Sequence, residues 1–388
     1  MNNIYFKRKK LRLATMLAAG VLMASSAPAN ATDYTFKLLG ETLRYSVATA
    51  INASGQVVGY APGMSWHHGP SPDDEAFSYE SSPSHAMVWS GSGVTDLGSL
   101  VGMTWDSRDQ SRALAINASG QVAGESGGGM WSGNGVVWDR GTLRDLGSNS
   151  VANGINTSGQ VVGTTNLNAT LWSGASVTNL SALDGSYSQA FAINDSGHIV
   201  GSSSALNNTV THATLWKGGS LTDLGTLGGT YSSANAINIS GQVVGQSKIT
   251  GDMAIHATLW DGSSVIDLGT LVGTFSDAKA INAAGLVVGA SSISSIPNDN
   301  VATLWAKGSA LDLNSLLDAN TLSAGWVLKE ATGINDKGWI VGNAHNTITG
   351  VDHGFLLTAV PLPKTYTMLL AGLGLMGFVL RRNNNQTA

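Results

Sequence analysis

The chain of 388 residues contains no cysteine. Disulfide bonds, thiolate metal ligands and cysteine nucleophiles are therefore excluded, so stability has to come from packing. Charged residues make up only 12% of the sequence, and no long stretch shows the 3.6-residue hydrophobic period of an amphipathic helix. Glycine, in contrast, occurs 49 times. This combination, with Ser- and Val-rich tracts, predicts an all-β protein with many tight turns.

Basic residues are scarce in the central part of the chain. The formal net charge is -5, but eight of the 20 Lys and Arg lie before residue 32 or after residue 363, where there is no Asp or Glu. The part between is therefore strongly acidic, and we expect neither nucleic acid nor an anionic membrane face as a partner. No G-x-S-x-G, Walker, dinucleotide or H-E-x-x-H motif is present. We therefore expect no cofactor and predict that the protein is not an enzyme.

A phrase of the form I-N-x-x-G-x-[VI]-[VA]-G recurs along the central part of the sequence. Its seven copies begin at Ile51, Ile116, Ile155, Ile193, Ile237, Ile281 and Ile334. A period of roughly 40 to 50 residues is typical of propellers and solenoids. In the fifth copy, turn residues separate four predicted strands at 234–238, 242–246, 256–260 and 264–268. Four strands per repeat predict a seven-bladed β-propeller of four-stranded blades.

Two further recurring positions fit this architecture. The residue before each Ile is Ala or Gly, as expected of an innermost strand that crowds against its neighbours. The third strand ends in Trp in six repeats and in Phe355 in the seventh. These aromatic residues are interpreted as core between blades, with stacking on carbohydrate as the alternative.

The fourth-strand phrase D-L-G has no copy after Phe355. Ahead of the first Ile-Asn, however, residues 34–40 end in Leu39-Gly40, with Leu38 in the position of the Asp. We therefore predict that this N-terminal strand completes the last blade and closes the ring, which would remove exposed sheet edges.

The repeats resemble the HAF family of extracellular repeats, which is named for a His-Ala-Phe phrase followed by D-L-G-T-L-G-G. The resemblance rests on His212-Ala213-Thr214-Leu215-Trp216 with Asp223 to Gly229, and it covers about residues 34 to 357. It implies an extracellular location. Three repeats lack the His, so a ligand role shared by all repeats is not expected. The recurring Asp of D-L-G is interpreted as a hydrogen-bond acceptor for a neighbouring turn.

The first 31 residues have the layout of a secretory signal peptide. Basic residues up to Arg12 precede an apolar run at 13–24 and the cleavage-site pattern Ala29-Asn30-Ala31. Signal peptidase would remove this segment, since the run is too short to span a membrane. An uncleaved signal anchor is the alternative.

The C-terminal segment, residues 360–388, resembles a PEP-CTERM sorting signal of Gram-negative, exopolysaccharide-producing bacteria. The resemblance rests on Val360, Pro361, Leu362 and Pro363, an apolar run at 366–380, and the pair Arg381 and Arg382. Leu362 stands where that family has Glu. The resemblance implies transient anchoring in the inner membrane and processing by an exosortase, with the repeat body, residues 32–359, in the periplasm, on the outer surface or in the extracellular matrix. A plain tail anchor is the alternative.

Loop length varies on the blade face away from the Asn-x-x-Gly turns, and binding usually resides in such loops. Candidate binding residues there are Trp66, His67, His68, Tyr79, Trp105, Trp131, Tyr187, Tyr231 and Phe275. Their ligand would be an extracellular polysaccharide or a matrix protein. No metal site is expected, because adjacent His side chains point in opposite directions in an extended chain.

These observations favour a non-enzymatic, secreted or surface-retained propeller that binds or contributes to extracellular matrix or biofilm. An enzyme acting on polysaccharide is a second hypothesis. Its mark would be an asymmetric group of acids and bases at the mouth of the central channel. The third is a spacer protein with no specific ligand.

Overall fold

The computed structural model describes residues 34–63, 83–91, 93–100, 110–127, 133–205, 209–296 and 299–359. These residues belong to one compact unit. The predicted signal peptide and the predicted sorting segment lie outside the described residues.

The described part of the chain is all-β, with antiparallel four-stranded sheets and little helix. We number the four-stranded units by the Ile-Asn phrase that their first strand carries. Unit 1 contains β2 (Val47–Ile51), β3 (Val57–Pro62), β4 (Ser84–Ser90) and β5 (Gly93–Asp96). Unit 2 contains β6 (Ser111–Ile116), β7 (Val122–Ser126), β8 (Asn134–Asp139) and β9 (Thr142–Ser148). Unit 3 contains β10 (Ser150–Ile155), β11 (Val161–Thr165), β12 (Asn168–Ser173) and β13 (Ser176–Asn179).

The remaining units follow the same order. Unit 4 contains β14 (Ser188–Ile193), β15 (Ile199–Ala205), β16 (Val210–Lys217) and β17 (Ser220–Gly225). Unit 5 contains β18 (Gly228–Ile237), β19 (Val243–Ile249), β20 (Ile255–Asp261) and β21 (Ser264–Gly269). Unit 6 contains β22 (Ser276–Ile281), β23 (Val287–Ser292), β24 (Asn300–Ala306) and β25 (Ser309–Asp312). Unit 7 contains β26 (Trp326–Ile334), β27 (Ile340–Asn346), β28 (Asp352–Ala359) and the N-terminal β1 (Tyr34–Leu38).

Units 4 and 5 form one eight-stranded sheet, because Thr211 of β16 and Tyr231 of β18 make a parallel pair. Short helices occur at Thr250–Asp252 and Leu313–Leu316 (3-10) and at Ala319–Ser323 (α1). The predicted all-β class and the four strands of unit 5 are confirmed. The first strand of unit 5 is longer than predicted, since Gly228 already pairs with Ile249.

Two positions of the repeated phrase require glycine for different structural reasons. Gly241 ends the turn between β18 and β19: its φ is +86°, and its N–H donates to the carbonyl of Asn238 at 3.1 Å. Only glycine adopts this region without a steric penalty. Gly245 lies inside β19, where a Cβ atom would come within 1.9 Å of the carbonyl oxygen of Ser233. A register shift between Ala234 and Ala236 produces this close approach, and the other six units repeat it.

The core lies between neighbouring units. Trp260 of unit 5 is only 2% exposed and packs with Val200 and Ala213 of unit 4. The equivalent Trp residues of the other units are 3% to 6% exposed, so their ring faces are not available for stacking on a sugar. Gly333, the small residue before Ile334, lies close to the next unit, since a Cβ atom there would lie 3.3 Å from the backbone nitrogen of Ile51.

The N-terminal strand completes the sheet of unit 7. β1 pairs antiparallel with β28 from Tyr34 opposite Ala359 to Leu38 opposite Phe355. Leu39 follows it into a buried cluster that includes Trp89 of unit 1. β1 therefore occupies the position of a fourth strand, which D-L-G strands hold in other units, and no described sheet closes on itself.

Candidate functional site

The Asn of each Ile-Asn phrase connects one unit to the next. The Nδ2 atom of Asn238 donates to the side chain of Gln242 at 2.8 Å and to the carbonyl of Asn282 at 3.2 Å, while its Oδ1 accepts from the backbone of Gln242. The same donation from side chain to carbonyl runs from Asn52 to Asn117 (3.1 Å), Asn117 to Asn156 (2.9 Å), Asn156 to Asn194 (3.3 Å), Asn194 to Asn238 (3.0 Å), Asn282 to Asn335 (3.2 Å) and Asn335 to Asn52 (3.1 Å). These seven side chains are buried and have a structural role.

An open pocket of about 210 Å³ lies beside these asparagines. Its lining comes from the Ile-Asn phrases of units 1, 5, 6 and 7 and includes Ile239 and Asp336. Asp336 already accepts from the backbone N–H of Ala283 at 2.9 Å. The pocket thus offers mainly aliphatic side chains and polar groups whose partners belong to the scaffold.

The opposite end of the first strands is chemically different. Arg112 of β6 makes an ion pair with Glu125 of β7 at 2.9 Å, and their side chains are 35% and 19% exposed. The guanidinium carbon of Arg112 lies 5.8 Å from the ring centroid of Tyr60 in unit 1, within cation–π range. Burial raises the pKa of the Tyr60 hydroxyl, and Arg112 opposes this effect. Units 1 and 2 therefore share a charged contact.

Unit 6 places a second ion pair at the same level of its first strand. Lys279 lies 2.6 Å from Asp277; the Lys side chain is 38% exposed and the Asp side chain 5%. Asn235 of unit 5 donates to Asp277 at 2.7 Å. Burial raises the pKa of the Asp277 carboxyl, and Lys279 opposes this rise. Burial alone would lower the pKa of Lys279, but Asp277 and then Glu330 raise it above its ordinary value.

Glu330 of unit 7 adds a third carboxylate, whose negative charge contributes to the raised pKa values of Tyr60 in unit 1 and of Asp277 and Lys279 in unit 6. Its Oε1 atom accepts from Asn343 at 2.9 Å. We define the polar cluster as Tyr60, Arg112, Glu125, Asp277, Lys279 and Glu330.

The repeats do not share the polar cluster. Arg112, Asp277 and Glu330 occupy equivalent positions in the first strands of units 2, 6 and 7. In units 1, 3, 4 and 5 this position holds Val47, Val151, Gln189 and Ser233. Opposite Arg112 stands Glu125, whereas opposite Val151 stands Thr164. The sequence could have indicated this site, because its residues differ from those at the equivalent positions of other repeats.

The structure places three of the predicted binding aromatics near this end. Tyr187, Tyr231 and Phe275 each directly precede the buried serine of a first strand and are themselves partly buried. Burial and then Tyr231 raise the pKa of Tyr187, and Tyr231 also contributes to the raised pKa of Lys279. Phe275 instead makes backbone hydrogen bonds with Ser292. The other predicted binding residues, Trp66, His67, His68, Tyr79, Trp105 and Trp131, lie outside the described residues.

The His and the Asp that carry the resemblance to the repeat family pair within one sheet. His256 Nδ1 lies 2.8 Å from Asp267, and Asp267 also accepts from the N–H of Gly269 at 2.7 Å. His85 with Asp96 and His212 with Asp223 make the same contact at the same spacing of 11 residues. In unit 2, Asn134 replaces the His and donates to Asp145. Sequence reasoning missed the pair, although the constant spacing could have indicated it.

In the described ranges, no group of three or more His, Cys, Asp or Glu residues is arranged to hold a metal ion. Among the helices described, none is long and apolar enough to cross a membrane.

The family model of the PEP-CTERM protein-sorting motif matches residues 359–383. This match includes Val360, Pro361, Leu362, Pro363, Arg381 and Arg382, and the predicted sorting signal is thereby confirmed. The signal implies export to the cell envelope or surface of a Gram-negative bacterium and sorting by an exosortase-type enzyme. No curated protein matches the chain.

Three solved structures are similar to this chain. TolB from Acinetobacter baumannii is 14% identical with a TM-score of 0.42, over 74% of this chain and 65% of that one. The extracellular domain of a one-component system from B. thetaiotaomicron is 8% identical with a TM-score of 0.46, over 85% of this chain and 40% of that one. An arginine-to-alanine triple mutant of AofleA from Arthrobotrys oligospora is 12% identical with a TM-score of 0.38, over 74% and 90%. The chain spans less than two thirds of the first two proteins.

Proposed function

We propose that this protein is an exported, non-enzymatic binding protein of the extracellular matrix or biofilm. The observation that carries the proposal is the sorting motif at residues 359–383, which directly follows a body of repeated sheets. Such a body gives a rigid scaffold on which a ligand site can be placed where the repeats differ.

We propose that the seven units are the blades of a β-propeller and that β1 closes the ring. Two contacts support this: β1 pairs with the last strand of unit 7, and Asn335 of unit 7 donates to Asn52 of unit 1 at 3.1 Å. The Asn side chain of each unit donates one such hydrogen bond to the next unit, and Asn335 of unit 7 donates to unit 1. The resemblance to HAF repeats fits an extracellular protein of this kind.

An enzyme that acts on extracellular polysaccharide is the second candidate. It is favoured by the carboxylates Glu125, Asp277 and Glu330, which have no acidic counterparts in units 1, 3, 4 and 5. Glycoside hydrolysis requires one carboxyl group that can donate a proton and a second that acts as nucleophile or base. Here Glu125 and Asp277 are held in ion pairs, so we rank binding above catalysis.

The test uses the protein recovered from the cells that make it. Mass spectrometry of the surface or medium fraction should find a C-terminus near Pro363; an intact Ala388 would favour a tail anchor. The protein should bind polysaccharide extracted from the matrix of those cells without releasing new reducing ends. Release of reducing ends would favour the enzyme, and no binding to any matrix fraction would favour the spacer.

A further inference from the structure

We propose that the polar cluster is a saccharide site that takes an uncharged segment of polysaccharide through its hydroxyl groups. This inference rests on the proposed binding function and assigns it to a place in the fold. It differs from the loop surface that the sequence suggests, because the polar cluster lies on the first and second strands.

The scaffold does not require these charges. Unit 3 builds the same strand pair with Val151 opposite Thr164 where unit 2 has Arg112 opposite Glu125. An ion pair that is partly exposed contributes little to stability, and a buried one often contributes nothing over apolar residues. Charges that one repeat carries and the next omits are therefore better explained by a ligand than by folding.

The charge balance selects the class of ligand. The polar cluster has two cations, Arg112 and Lys279, and each is already paired with a carboxylate, at 2.9 Å and 2.6 Å. Glu330 adds a third carboxylate. An anionic ligand would have to displace the paired carboxylates. A cationic ligand could pair only with Glu330, whose Oε1 atom already accepts from Asn343, and it would meet like charges at Arg112 and Lys279, so both classes are disfavoured. A sugar hydroxyl both donates and accepts, and it can contact paired charges of either sign.

Flat apolar surface adjoins the paired charges. The Arg112 guanidinium lies over one face of the Tyr60 ring. The Tyr231 hydroxyl accepts from the Nε2 atom of Gln246 at 3.4 Å, and Tyr231 contributes to the raised pKa of Lys279. A tyrosine presents an apolar face with a polar tip, which matches the C–H faces and hydroxyl rim of a pyranose. The side chains of Arg112 and Lys279 are each more than a third exposed, so a ligand can reach their donors.

Two double variants remove the charges by copying pairs that the fold already contains. R112V/E125T gives unit 2 the Val and Thr of unit 3. D277S/K279N gives unit 6 the Ser233 and Asn235 of unit 5. The control is R144T, because Arg144 lies on the outer strand β9 at the position that Thr178 occupies in β13.

The wild-type protein and the variants are compared on an array that holds neutral, uronate-bearing and amino-sugar glycans, and the best binder is then titrated by calorimetry. We expect the wild type to select neutral glycans, each double variant to bind the best one at least about tenfold more weakly, and R144T to bind like the wild type. Melting temperatures of all variants show whether a loss of binding reflects unfolding. If a double variant unfolds, E330Q, which keeps the shape of the side chain, replaces it in the comparison.

Three outcomes overturn the inference. If the folded double variants bind the glycan as tightly as the wild type does, the ligand binds elsewhere, and the proposed binding function is unaffected. Selection of uronate or amino-sugar glycans contradicts the charge argument and leaves that function intact as well. Failure of the wild type to bind either the array or the extracted matrix overturns both.

Discussion

The glycine at the end of each repeated phrase makes the strongest prediction about stability. Replacing Gly245 with Ala puts a Cβ atom 1.9 Å from the carbonyl oxygen of Ser233 and 3.0 Å from the Cα of Ala234. Both neighbours are backbone atoms, so no change of rotamer can relieve the contact. The matched control is Gly241→Ala in the same unit, where no atom lies within 4 Å and the only cost is the positive φ of 86°.

The two costs differ because they have different origins. An alanine at positive φ costs about 1 to 2 kcal/mol. Carbon atoms in contact are normally about 3.5 Å or more apart, so G245A must push β18 and β19 apart by more than about 1 Å. Overpacking of this kind costs about 1 to 3 kcal/mol, and weakened hydrogen bonds between the strands add about 1 kcal/mol each. We therefore expect about 4 kcal/mol or more for G245A. Both variants reduce the entropy of the unfolded chain equally, so this contribution cancels.

Urea unfolding of the purified protein, followed by tryptophan fluorescence, measures the difference. The midpoint of G245A should lie well below that of G241A, which should lie slightly below the wild type. Equal midpoints, or a milder effect of G245A, would refute the argument that the backbone approach at Ser233 requires glycine.

Four further predictions follow from the described contacts. Deletion of residues 32–40 removes β1 and exposes Phe355 and Leu357, which are fully buried in the intact protein. The melting temperature measured by circular dichroism should therefore fall, and an unchanged value would show that β1 does not stabilise unit 7. N238A removes donors to Gln242 and Asn282 and should destabilise by about 1 to 2 kcal/mol in urea, whereas a neutral result would make the Asn contacts between units dispensable. H256N copies the Asn134 and Asp145 contact of unit 2 and should change the free energy of unfolding by less than about 0.5 kcal/mol; a loss above about 1 kcal/mol would assign the imidazole a further role. Burial lowers the pKa of His353 in the folded protein, so on acidification the unfolded chain takes up this proton first. The free energy of unfolding should therefore fall as the pH drops from about 6.5 towards the pKa of the folded state. H353N should weaken this pH dependence, and an unchanged pH profile of the variant would contradict the argument.

Recurrence in the sequence was sufficient to predict the features that each repeat needs for itself. The strand order of unit 5 follows from its turn residues, and the small residue before Ile237 follows from crowding between neighbouring strands. The pairing of His256 with Asp267 was missed because their contact depends on the register of β20 against β21, which the spacing of 11 residues indicates only when several repeats are compared. The reason for Gly245 was also hidden, since a register shift rather than a positive φ demands it.

The polar cluster could not be predicted in this way, because its members come from separate repeats. Tyr60 and Glu330 are far apart in sequence, and they interact only because unit 7 adjoins unit 1. A search for recurring motifs discards such residues, since each of them occurs once at its position.

The two ends of the first strands show why departures from the repeat indicate function here. At the Asn end, Asn238 and its six equivalents have their side-chain groups hydrogen-bonded within the scaffold, and any change there would break a contact between units. At the opposite end, Val151, Gln189 and Ser233 occupy the position of Arg112 in other units, so the scaffold accepts apolar, polar and charged side chains. A position where the fold accepts many side chains is free to be specified by a ligand. The neutral pair Val151 and Thr164 of unit 3 therefore indicates that the charges of unit 2 are dispensable for folding. Copying this pair into unit 2, as R112V/E125T does, tests what those charges bind.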